Sequence, residues 1–103
     1  MKELKAAAGE ASNLLKSLAN PLRLQILCEL AGGEQSVGDI ARDLGVRDTV
    51  VSQHLALLRR EGIVGNRRDA QTIYYRVESD AARRVLDTLY KLYCAPAKPK
   101  RGR

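Results

Sequence analysis

The chain has 103 residues, a formal net charge of +6, and 45% apolar and 29% charged residues, which fits one ordinary globular domain and excludes a disordered chain or two well-filled domains. Its apolar runs fall short of the roughly 20 residues a membrane span needs, and no apolar segment follows Lys2 and Lys5 as in a secretory leader. With only two Cys, no disulfide framework is expected, and the expected setting is the reducing cytoplasm, with no membrane partner.

Phe and Trp are absent and four Tyr supply all the aromatics, so the core is expected to be aliphatic. In chain order, Leu4, Ala8, Ala11, Leu15 and Leu18 recur at helical spacing and predict a first helix over about Leu4 to Ala19. Asn20 is a suitable N-cap and Pro21 suits the first position of a second helix, which runs to about Ala31 and stops at Gly32-Gly33. Ser36-Val37-Gly38-Asp39 resembles a capping box with Asp in place of the usual Glu. It opens a short third helix that ends at Gly45. A fourth helix begins near Arg47 or Asp48 and ends at Glu61-Gly62. Ile63 to Arg68 and Thr72 to Val77 are β-prone runs around Asp69-Ala70-Gln71 and predict a hairpin. Ser79 caps a last helix over Asp80 to about Tyr93. The order is ααααββα, a mainly α domain over residues 1–94. Residues 95–103, Ala-Pro-Ala-Lys-Pro-Lys-Arg-Gly-Arg, predict a basic disordered tail.

Two short helices joined across Gly45 predict a helix-turn-helix. Around the second of them, at 100° per residue from Arg47, Val51, Leu55 and Leu58 fall between about 20° and 80° and form the core face. Thr49, Ser52, Gln53, Ala56 and Arg60 fall opposite, between about 140° and 240°. Gln can bond adenine with two contacts, and Ser or Thr can reach several base edges, so this face suits the major groove of duplex DNA. His54 lies at the core edge. The hairpin that follows carries Arg67, Arg68 and Gln71 and can act as a wing that meets phosphates or the minor groove. The charge distribution agrees. Four of the six net positive charges sit in the tail, yet residues 59–76 carry +3 and residues 29–48 carry −3, so positive charge gathers where a wing would meet DNA. The expected architecture is a winged helix-turn-helix.

Leu15-Lys16-Ser17-Leu18-Ala19-Asn20-Pro21-Leu22-Arg23-Leu24-Gln25-Ile26-Leu27 and Val51-Ser52-Gln53-His54-Leu55-Ala56-Leu57-Leu58-Arg59-Arg60-Glu61-Gly62-Ile63-Val64 resemble the ArsR/SmtB repressors, over about residues 12 to 94. The resemblance implies a homodimer through the first and last helices, bound to a pseudo-palindromic operator when free of inducer. Two-fold symmetry then sets two recognition helices about one DNA turn (~34 Å) apart. The last helix agrees with a dimer, because Ala82, Val85, Leu86, Leu89, Tyr90, Leu92 and Tyr93 offer more apolar surface than one small domain covers.

The inducer is sought among metal ligands and thiols. Ser36 and Gly38 stand where the arsenic- and cadmium-sensing branch places its thiols. The last helix has Asp80 and Asp87 but none of the His that the zinc-sensing branch uses there. No donor set for a transition metal is therefore expected, and no cofactor. On residues alone, Cys28 is a small hydrophobe inside the domain or at a helix seam, and Cys94 a spare thiol. Ile26-Leu27-Cys28-Glu29-Leu30, Asp69-Ala70-Gln71-Thr72-Ile73-Tyr74-Tyr75 and Leu92-Tyr93-Cys94 resemble the sulfide-responsive branch of the family, and the interval between the two Cys matches that branch too. This resemblance implies that Cys28 and Cys94 are sensor thiols, joined within one subunit by a sulfur chain when reactive sulfur species, persulfide or polysulfide, are present. It leaves open a plain Cys28–Cys94 disulfide formed by oxidants. Lys91 is the one cation near Cys94 in sequence that could favour its thiolate. No carboxylate pair or phosphate-binding Gly loop appears, so an enzyme is not expected.

Overall fold

The computed structural model describes residues 2–94; the tail expected at 95–103 lies outside them. The elements are α1 (Lys2–Leu18), α2 (Pro21–Ala31), β1 (Gln35–Ser36), α3 (Val37–Leu44), α4 (Asp48–Arg60), β2 (Val64–Asp69), β3 (Thr72–Val77) and α5 (Asp80–Tyr93). The helix ends follow the capping chemistry of the sequence. Asn20 Oδ1 accepts from the backbone N–H of Leu22 and of Arg23, both at 3.0 Å, and Ser36 Oγ accepts from Asp39 N–H at 3.2 Å. Ser79 Oγ accepts from Ala82 N–H at 3.1 Å. Each bond satisfies a donor that the first helical turn leaves without a partner. Gly45 closes α3 at φ +69°, a left-handed conformation that costs an L side chain energy and glycine none.

The sequence reading misses one element. The two-residue β1 is too short for any periodicity, yet it pairs antiparallel with β3, Gln35 opposite Tyr75 and Ser36 opposite Tyr74. The sheet order is β1-β3-β2. β2 and β3 form the expected hairpin, with Asp69 opposite Thr72. The turn between them is thus only Ala70-Gln71, and Ala70 takes φ +59°.

The core is aliphatic, as the absence of Phe and Trp requires. Ile26, Leu27 and Leu30 of α2, Ile40 of α3, Val51, Leu55 and Leu58 of α4, and Leu86 of α5 are all buried, joined by Ile63, Val64 and Val77 at the base of the wing. α1 joins it only through its C-terminal turns, with Leu18 in the core and Leu14 packed against it. Ser17 and Leu18 are its only buried residues, while Leu4 and Leu15 are more than half exposed, at 52% and 58%. No helix among the described residues is long and apolar enough to cross a membrane.

Candidate DNA-reading face and thiol pair

α4 divides as its angular pattern requires. Val51, Leu55 and Leu58 have no exposed surface, and Thr49, Ser52, Gln53, Ala56 and Arg60 are all exposed on the other side. α3 packs against α4 across the Gly45 turn, so the buried face fixes where the polar face points. His54 is half-buried between the two faces. Burial, and then the charge of Arg23, hold its pKa below the usual histidine value.

The wing carries Arg67, Arg68 and Gln71, all exposed, but the two arginines have different surroundings. Arg67 Nε donates to both carboxylate oxygens of Glu34, at 2.9 and 3.2 Å. Its guanidinium also lies 4.9 Å from the centroid of the Tyr74 ring, within range of a cation–π contact. Arg68 has no ion-pair partner among the described residues. Arg76 reaches Glu34 at 3.9 Å and Glu78 at 3.3 Å. The Glu34 contact could not be read from the sequence, because the residues are 33 positions apart and meet only because β1 joins the sheet.

Cys28 and Cys94 are free thiols, and both are exposed. This corrects the expectation that Cys28 lies inside the domain, and leaves the other alternative, a place at a helix seam, which here is the one between α2 and α5. The helical angle of Cys28 turns it toward α5, but the end of α5 does not close over it. A cavity of about 420 Å³ opens there instead, lined by Leu24, Cys28, Leu44, Leu89, Tyr93 and Cys94 among others. The structure therefore brings the two thiols to one cavity within one subunit, between α2 and the end of α5. A second cavity of about 580 Å³ meets Cys28 from the side of Arg83, Arg84 and Tyr90. The Cys28 pKa is raised above the ordinary thiol value by burial first, then by the nearby Cys94 and Glu29. Lys91, the cation the sequence set near Cys94, has its Nζ 3.1 Å from Asp87 Oδ2, one turn back along α5. Among the described residues, no three His, Cys, Asp or Glu side chains gather as metal ligands would.

Comparison with known proteins adds to this geometry. Residues 20–65 match the family described as "Bacterial regulatory protein, arsR family". The chain is 47% identical to the biofilm growth-associated repressor of Agrobacterium fabrum, over 86% of this chain and 76% of that protein. Its fold is similar to reduced HlyU of Vibrio cholerae, with a TM-score of 0.86 at 41% identity, covering 92% of this chain and 100% of that one. It is also similar to the homodimeric winged helix-turn-helix DNA-binding domain of a possible ArsR-family regulator from Mycobacterium bovis. There the TM-score is 0.74 at 36% identity, covering 86% of this chain and 83% of that one.

Proposed function

Since this chain belongs to the ArsR family of bacterial regulatory proteins and is a DNA-binding transcriptional regulator, we propose that it is a homodimeric repressor of a pseudo-palindromic operator, released when Cys28 and Cys94 react with persulfide or polysulfide. Thr49, Ser52, Gln53, Ala56 and Arg60 meet base edges in the major groove. Arg67, Arg68 and Gln71 meet the flanking backbone or minor groove from the wing. The dimer forms through α1 and α5. That assignment is supported by the exposed Leu4 and Leu15 on α1 and Tyr90, Leu92 and Tyr93 on α5, and by the homodimeric relative from Mycobacterium bovis.

The observation that carries the sensing step is the cavity shared by Cys28 and Cys94. One thiolate attacks an S–S bond of a polysulfide, takes up sulfur, and expels a shorter polysulfide anion. The second thiolate attacks the sulfur chain now on the protein, and the terminal sulfur leaves as hydrosulfide. Two thiols are oxidised, the polysulfide is reduced, and the thiol protons go to solvent. The product is a sulfur chain that ties α2 to the end of α5. Each inserted sulfur adds about 2 Å of reach beyond that of a plain disulfide. Because α5 lies in the dimer interface, the tie shifts the distance between the two recognition helices. Couplings of this kind are about 1–3 kcal/mol, a loss of affinity of roughly 5- to 150-fold.

The test is operator binding by the wild type, Cys28→Ser and Cys94→Ser, before and after polysulfide, with the mass of each product. The expected result is release of the wild type alone, with a mass gain of whole sulfur atoms less two hydrogens. Release of both single variants overturns the thiol-pair mechanism. A loss of two hydrogens with no added sulfur replaces the chain by a plain disulfide.

A further inference from the structure

The wing holds two adjacent arginines in unlike states. In the β2–β3 register Arg67 stands opposite Tyr74, and Tyr74 stands opposite Ser36 of β1. Residues directly opposite across strands share one face of a sheet. Arg67 therefore lies flat across the sheet, over the Tyr74 ring, and ends on Glu34 just before β1, with Nη2 2.9 Å from Oε1. Arg68 is opposite Ile73 on the other face. Arg76 has a carboxylate of its own in Glu78, so Glu34 serves Arg67 first. The side chains of Arg67 and Glu34 keep 51% and 31% of their surface open to solvent. A pair this exposed adds little to the fold, and water or another anion can reach it.

We infer that Glu34 is a competitor for DNA built into the wing: its carboxylate occupies Arg67, and a DNA phosphate has to displace it before Arg67 joins the interface. The inference rests on the DNA-binding reading and refines it. A carboxylate and a phosphate offer the same pair of acceptor oxygens to a guanidinium, so one can take the place of the other. The exchange trades one ion pair for another, and Arg67 contributes less to affinity than Arg68, which has no ion-pair partner to leave among the described residues. The net charge of the wing in the free protein is correspondingly lower than its arginine count suggests. Glu34 thereby limits non-specific attraction to any duplex, which depends on the number of phosphates neutralised.

The experiment uses the full chain and a duplex selected by the wild type from a randomised pool. Binding is followed by fluorescence anisotropy from about 50 to about 300 mM salt, where phosphate contacts dominate the response. Five proteins are compared: wild type, Glu34→Gln, Arg67→Ala, the double variant of these two, and Glu34→Ala as a second way of removing the carboxylate. Both Glu34 variants are expected to bind about threefold tighter per wing, or about tenfold for a two-winged dimer. Their plot of log affinity against log salt steepens by up to about one unit per wing, because in the wild type each displaced Glu34 carboxylate takes up a cation that offsets the one Arg67 releases from its phosphate. Adding Arg67→Ala removes both gains. Equal slopes in wild type and Glu34 variants, weaker binding by those variants, or a gain that survives the loss of Arg67 each overturn the inference. A wild type that retains no duplex at any salt overturns the DNA reading itself, and this inference with it.

Discussion

His54 shows how one side chain links burial to pH. It is half-buried beside the charge of Arg23, and both hold its pKa down. The folded protein therefore takes up this proton less readily than the unfolded chain does. Above about pH 6.5, the ordinary histidine value, both states are neutral at His54 and the residue adds no pH dependence. As the pH falls below that value the unfolded state binds the proton first, and stability drops until the folded-state pKa is passed. Urea unfolding midpoints are expected to fall as the pH drops below about 6.5, and His54→Gln to flatten that part of the curve. An unchanged slope in the variant would show that other groups carry the effect. At Cys28 the same kind of influence acts on a thiol. Burial, Cys94 and Glu29 all favour the protonated form, so its thiolate is scarcer at neutral pH than that of a free cysteine.

Among the elements, α4 is fixed by one face and leaves the other free. Leu55 is wholly buried in the middle of the helix, between Val51 and Leu58. Leu55→Ala is expected to cost about 2–5 kcal/mol in chemical denaturation, from lost burial and the cavity left behind. Operator affinity per folded molecule should change less than stability, because the exposed residues that face away from Leu55 remain. α1 is held differently. Its C-terminal turn is tied to the end of α4 by the Ser17 hydroxyl, which donates to the Glu61 carboxylate or to the carbonyl of Asn13. Leu18 and Leu14 pack on the core, and residues 2–10 of α1 are exposed.

On the scale of the whole molecule, the exposed Leu4 and Leu15 of α1 and Tyr90, Leu92 and Tyr93 of α5 mark surface left open by a single chain. Apolar surface of this kind favours a second copy. In sedimentation equilibrium the wild type is expected to be a dimer and the double variant Leu15→Glu/Leu92→Glu a monomer. The monomer should lose most of its operator affinity, because two half-sites are no longer read together. A variant that stays dimeric would place the interface elsewhere. The same openness sets where reagents can meet the thiols, since Cys28 stands on the walls of two cavities rather than inside the core.

Local chemistry in the sequence determined most of the fold. The caps at Asn20, Ser36 and Ser79, the Gly45 turn and the period of the apolar residues each act within a few positions of the chain. The buried and exposed faces of α4 follow from the same period. What only the tertiary structure decided involves groups far apart in the chain. β1 exists because β3 offers it an edge, and that pairing brings Glu34 to Arg67. Cys28 is open because the end of α5 stops short of covering it, a question of how two helices meet that the angle of one helix does not answer. Lys91 turned to Asp87 because an opposite charge one helical turn away is a nearer partner than a thiol beyond the helix end. The sequence period says which way a side chain points, and the packing of distant segments decides what it finds there.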